Sequence, residues 1–228
     1  MKMKNVCLLA ASSAVFAVSS AFASPVPWTT PAGSTPYYDY ADGQSQNGLF
    51  GDPLVLDSSF VFFPNNFKAV SLNGVAASKS DSLTFEITVK NNQAVTGLTV
   101  NEIGDYSISG TGTVSVGGSL TITNLAVAQP PTQSPLISTP ASPITTTTSA
   151  IGSWTATSTA TNLPDGWTKF HVNLTNILDA TSLQGSTATI EKKLASAAIE
   201  VSFIVPEPTS LSLLAAGATM LLRRRRNG

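Results

Sequence analysis

One histidine, His171, and one cysteine, Cys7, are all that this 228-residue chain offers of the side chains most used as general bases, thiol nucleophiles and zinc ligands. His171 lies in the alternating run Lys169 to Leu174, on the side opposite Phe170 and Val172, and reads as a solvent-facing histidine. Cys7 stands at the start of an apolar stretch, whereas a lipidated cysteine would follow such a stretch. Zinc sites of the usual kinds are excluded, and the chain beyond Cys7 has no thiol with which to form a disulfide. Serines abound, yet no G-x-S-x-G elbow occurs, and no glycine-rich phosphate loop opens a helix.

Carboxylates are the remaining chemistry. A glycan hydrolase needs two of them across one bond, and nothing in the spacing marks such a pair. Calcium would be held by oxygens from loops, and Asp39 with Asp42, or Asp52 with Asp57, are the candidates, although no EF-hand spacing occurs. Glu102 and Asp105 flank Gly104 and read as acids that bond loop amides. Sugar stacking would fall to Tyr37, Tyr38 and Tyr40 or to Trp154 and Trp167. No cofactor is expected.

The elements that must position these residues read as strands. Leu83, Phe85, Ile87 and Val89 alternate with Thr84, Glu86 and Thr88, which gives one buried and one wet face. Phe60 to Phe63 is a short buried strand stopped at Pro64-Asn65-Asn66, and Asn91-Asn92-Gln93 supplies another turn. Further strands are expected around Leu98 to Val100, Tyr106 to Ile108, Val114 to Val116, Leu120 to Thr123, Ile151 to Thr157, Lys169 to Leu174 and Ile199 to Val205. Gly48, Gly51, Gly104 and Gly110-Thr111-Gly112 read as turns, and Gly117-Gly118 as a hairpin. Ser24 to Gly48 is an extended lead-in whose packing the sequence leaves open, and Ser186 to Ala198 fits a short helix or a strand. Gln129 to Ser149, rich in Pro, Thr and Ser, reads as an excursion between strands of one sandwich in preference to a linker between two domains. The expectation is an all-β chain, an antiparallel β-sandwich of jelly-roll or Ig-like form.

Composition agrees. Charged residues make up 11% of the chain, and between Ser24 and Val205 there are six lysines, no arginine and twelve acidic residues, a formal net charge of −6. A surface of that sign is a poor partner for nucleic acid, which binds through positive charge.

Both ends differ from this body. Lys2 and Lys4 precede an apolar stretch from Val6 to Val18, followed by Ser19-Ser20-Ala21-Phe22-Ala23 and Ser24. That is the pattern of a secretory signal peptide helix, residues 1–23, with Ala21 and Ala23 as the small residues a signal peptidase requires before Ser24. At the far end Pro206-Glu207-Pro208 leads into Thr209 to Leu222, which is nearly free of charge, and then Arg223-Arg224-Arg225-Arg226. As a helix the apolar run would be about 21 Å long, short of the roughly 30 Å hydrocarbon core, so it is a marginal anchor that arginine snorkelling could lengthen. The arginines would stay on the cytoplasmic side.

This order resembles the PEP-CTERM sorting signal of Gram-negative bacteria. Asn47-Gly48-Leu49-Phe50-Gly51-Asp52-Pro53, Phe62-Phe63-Pro64-Asn65-Asn66-Phe67 and Glu102-Ile103-Gly104-Asp105-Tyr106 are similar to patterns in exported proteins of the same kind. The resemblance implies three parts: signal peptide 1–23, sandwich 24–205, and sorting segment 206–228 with a short hydrophobic helix. It further implies processing by signal peptidase and an exosortase-type membrane protease, transient tethering at the inner membrane, and a final place at the cell surface or in an exopolysaccharide matrix. It adds no catalytic residue. The expected role is that of a non-enzymatic matrix protein, with a carbohydrate-binding module and a carboxylate-dependent glycan hydrolase as alternatives.

Overall fold

Side-chain alternation in this chain runs longer than the individual apolar runs suggest. In the computed structural model, which describes residues 24–64, 66–90, 95–161, 163, 167–193 and 199–204, the segment around Leu83 is one arm of a thirteen-residue strand. In chain order the strands are β1 (Val26–Pro27), β2 (Gly33–Ser34), β3 (Tyr38–Ser45), β4 (Pro53–Val55), β5 (Ser59–Phe62), β6 (Lys68–Leu72), β7 (Ala77–Val89) and β8 (Gly97–Ser109). Then follow β9 (Gly112–Asn124), β10 (Thr132–Pro135), β11 (Ile137–Thr139), β12 (Ile144–Thr146), β13 (Ala150–Thr161), β14 (Lys169–Ser182), β15 (Thr187–Lys192) and β16 (Ile199–Ile204).

They form two eight-stranded sheets in which every ladder is antiparallel. One sheet runs β1-β3-β7-β14-β9-β10, with β2 on β3 and β12 on β9. The other runs β11-β13-β8-β16-β5-β4, with β15 joining β8 to β6. β8 organises this second sheet: β13 follows one edge from end to end, while β16 takes Gly97 to Glu102 and β15 takes Gly104 to Ser109 on the other. The two sheets face each other as a sandwich, because each strand turns its apolar phase inward. Leu83, Phe85 and Ile87 of β7 thus meet Phe60 and Phe62 of β5 in one core.

Trp28, Tyr38, Tyr40, Phe60, Phe85 and Phe203 fill one part of that core, with ring centroids 4.8–6.2 Å apart in the tilted and edge-on arrangements aromatic quadrupoles favour. The lead-in from Ser24 therefore packs: it supplies Trp28 and β3. Outward positions are tiled with small hydroxyl residues, as along β13, where Thr155, Thr157, Thr159 and Thr161 are exposed. The Pro-, Thr- and Ser-rich segment lies along both sheets, β10 and β12 on β9 and β11 on β13.

Two glycine readings are corrected. Gly104 lies inside β8, directly across from Trp154, and a Cβ there would come within 2.3 Å of the indole and 2.2 Å of the Glu191 carbonyl. Glycine is required by that close approach, which a turn reading mistook for a break. Gly117-Gly118 likewise lies within β9, where Gly118 takes φ +147° and a Cβ would sit 2.1 Å from the Thr175 carbonyl. The true strand end is at Gly110-Thr111, which carries the chain from one sheet to the other. Ser186 to Ala198 resolves in part as strand β15. The Asn91-Asn92-Gln93 turn lies outside the described residues, as do the two terminal helices expected from sequence. Among the described residues no helix is long and apolar enough to cross a membrane.

Candidate functional site

Two long strands and one short one place a polar residue where the inward phase calls for an apolar one. On β8 the inward series Leu98, Val100 continues to Glu102; on β14 Phe170, Val172, Leu174 continues to Asn176; on β15 Ala188, Ile190 continues to Lys192. β14 belongs to one sheet and β8 and β15 to the other, so closing the sandwich brings the three side chains together in its interior.

Lys192 Nζ donates to Glu102 Oε2 at 2.6 Å, and both side chains are 0% exposed. Asn176 Nδ2 donates to Glu102 Oε1 at 2.8 Å. One carboxylate thus carries the amine on one oxygen and the amide on the other. The ammonium nitrogen also lies 5.1 Å from the centre of the Phe67 ring and 5.2 Å from that of Trp154, within cation–π range. Burial pushes the Lys192 amine below its ordinary value, and the Glu102 charge and hydrogen bond act against that shift. Asn176 Oδ1 is buried and has no hydrogen-bond partner among the described residues.

A second buried carboxylate has a plainer task. Asp81 accepts from the Ser45 hydroxyl at 2.5 Å and from the amides of Asn47, Leu49 and Ser82 at 2.7–2.8 Å, which pins the loop after β3 to β7. Four donors around one carboxylate describe a structural clasp.

The residues singled out from sequence are dispersed. Asp39, on β3, forms an ion pair with Lys90 at 3.0 Å, and the Lys90 and Ser34 hydrogen bonds hold its carboxyl below the usual range. Asp52 accepts the Thr29 hydroxyl at 2.5 Å and the Thr29 amide at 2.7 Å. Asp42 takes φ 55° where the register between β3 and β7 shifts. Among the described residues no three His, Cys, Asp or Glu side chains gather as a metal group. Glu102 and Asp105 do not bond loop amides: both lie on β8 and face opposite ways. Asp105 accepts Ser153 Oγ at 2.7 Å and pairs with Lys193 at 3.4 Å on the outside. His171 is half-buried on β14, in register with Glu86 and Thr123.

The aromatic stacking platforms are likewise corrected. Trp154, Trp167, Tyr38 and Tyr40 are buried, and of the group only Tyr37 reaches solvent. Burial and a hydrogen bond to the Leu56 carbonyl at 3.0 Å occupy the Tyr38 phenol, whose pKa burial drives upward. On the outside, a recess of about 430 Å3 lies between the Pro-rich segment and the β9–β14 ladder, bounded by Ser115, Gly117, Leu136, Ser142, Ile177 and Asp179. It holds one carboxylate, Asp179, which accepts weakly from Ser115 at 3.4 Å. Of the residues in the terminal motifs, Ser24 is exposed, while Ala21, Ala23, Pro206, Glu207, Pro208 and Arg223 to Arg226 lie outside the described residues.

The central cluster escaped the sequence reading because the strands holding Glu102 and Asn176 were cut short, while the segment holding Lys192 fits a helix or a strand alike. The signal was present as a phase: two residues beyond Val100, Leu174 and Ile190 stand Glu102, Asn176 and Lys192.

No protein-family model matches the chain, and no curated protein matches it in sequence. Among solved structures, the chain is similar to TmCBM61 in complex with β-1,4-galactotriose at a TM-score of 0.21 and 9% identity, over 77% of this chain and 96% of that one. It is also similar to the enzymatically active domain of bacteriophage CBA120 tailspike protein 4, at a TM-score of 0.22 and 14% identity, over 71% of this chain and 18% of that one. Superpositions this loose carry no argument about activity.

Proposed function

We propose that this chain is an exported, non-catalytic sandwich protein of the cell surface or extracellular matrix, delivered by its two terminal signals. The observation that carries this reading is the order Pro206-Glu207-Pro208, apolar run, Arg223 to Arg226, behind a chain that opens with an export signal. Signal peptidase would cut before Ser24 and an exosortase-type protease near Pro206 to Pro208, with exopolysaccharide as the partner met outside. The body supports the reading by what its reactive groups are doing: Asp39, Asp52, Asp81 and Glu102 are each engaged by internal donors, and the tryptophans thought of as stacking surfaces are spent on the core. Chain passage from one sheet to the other at β8–β9, β13–β14 and β14–β15 favours a jelly-roll form over an Ig-like one.

The test is terminal peptide mapping of protein recovered from envelope and medium. Termini near Ser24 and Pro206 are expected. Replacing Arg223 to Arg226 by neutral residues is expected to abolish C-terminal processing and membrane retention, and unchanged localisation of that variant overturns the sorting assignment.

A further inference from the structure

The geometry points to a covalent bond: Lys192 and Asn176 form an intramolecular isopeptide cross-link, with Glu102 as the proton-transfer group. The amine and the amide already share one carboxylate, at 2.6 Å and 2.8 Å, in a buried position walled by Phe67 and Trp154. Holding both reactants on one group removes the entropy cost of bringing them together.

The chemistry is complete with what is present. Transfer of one proton along the 2.6 Å contact converts the ion pair into a neutral amine and a neutral carboxylic acid, the pair a low-dielectric interior favours. Desolvation lowers the proton affinity of Lys192, which is how a lysine becomes a nucleophile. Asn176 Oδ1, which has no partner among the described residues, comes onto the Glu102 acid when the amide turns over, and the acid then polarises the carbonyl. Nζ attacks Cγ, the Nζ–Cγ bond forms and the Cγ–Nδ2 bond breaks. Glu102 accepts the proton Nζ gives up and delivers one to Nδ2, which departs as ammonia. Glu102 ends as the neutral acid formed in the first transfer, holding the proton that the Lys192 ammonium gave up, and no oxidant, metal or cofactor enters the balance.

Asn176 sits on β14 and Lys192 on β15, so the bond joins one sheet to the other. With Cys7 the only cysteine, the sandwich has no disulfide, and this amide would take that place without depending on redox conditions. The assignment stands independently of how the tail is sorted.

Mass spectrometry of the denatured full-length protein tests it. Digestion after glutamate cuts between Glu191 and Lys192 and so separates Asn176 from Lys192. The expected result is fragments 103–191 and 192–200 recovered as one species, lighter than their sum by one ammonia, about 17 Da, with fragmentation locating the link at Asn176 and Lys192. In Glu102→Gln, which removes the cut after residue 102, fragments 87–191 and 192–200 are expected to separate at full mass. Separate full-mass fragments from the wild-type protein overturn the proposal. So does loss of ammonia from 103–191 alone, which would mark a cyclised asparagine. Because the decisive reading is made on the wild-type chain, a folding defect in the variant does not rescue the idea.

Discussion

Gly104 shows how much one hydrogen can decide. Its missing side chain lets the Trp154 indole lie against β8, and the same indole forms a wall of the chamber around Lys192. Gly104→Ala forces a Cβ to within 2.3 Å of the ring and 2.2 Å of a backbone carbonyl, neither of which can retreat cheaply. Thermal or denaturant unfolding should show a loss of about 1–3 kcal/mol, the range for overpacking a filled core. The conserved-volume alternative is absent here, since the neighbour at 2.2 Å belongs to the main chain. From sequence, Gly104 beside two acids looks like a loop, and that reading hid the whole length of β8 and with it the inward phase of Glu102. Lys192 was hidden because Ser186 to Ala198 fits a short helix or a strand alike, so no inward phase could be assigned to it.

At the scale of elements, the short strand β1 pairs with the end of β3 and is followed at once by the buried Trp28 and then by the exposed Thr29–Asp52 contact. The Thr29 hydroxyl, and after it the Thr29 amide, keep the Asp52 carboxyl below its ordinary value of 3.8. Between the folded and unfolded values the unfolded chain binds more protons, so the contact contributes its full stability above about pH 3.8 and loses it as pH falls further. The contribution is about 0.5 kcal/mol or less because the groups are solvent-exposed. The Thr29 amide resonance should follow the titration, and Thr29→Val should weaken its dependence. Strands whose apolar pattern is unbroken were legible in advance: β5 as a continuous apolar run, and the centre of β7 and β16 by strict alternation. Those that mix a glycine or a polar residue into the inward phase were not, because a single chain shows a broken pattern and never the partner strand that completes it. For β14 the reading stopped at Leu174, one inward position short of Asn176.

For the whole molecule, the two sheets are tied through aromatic rings. Phe60, from β5, touches Tyr38, Tyr40 and Phe85 of the opposite sheet as well as Trp28 and Phe203. Phe60→Ala should cost about 3–5 kcal/mol in denaturant unfolding, the scale for emptying a buried aromatic site. A loss below 1 kcal/mol would show that the ring cluster is not what joins the layers. The hydroxyl-tiled exterior and the few charges could be read from composition, whereas the pairing order of sixteen strands could not, since most neighbours are distant in sequence. β16 is the last described strand, and it lies between β8 and β5 instead of at an edge. Tension applied to the chain beyond Ile204 is therefore borne by two ladders at once, and the protein behaves under load as a fastener set into the middle of a plate.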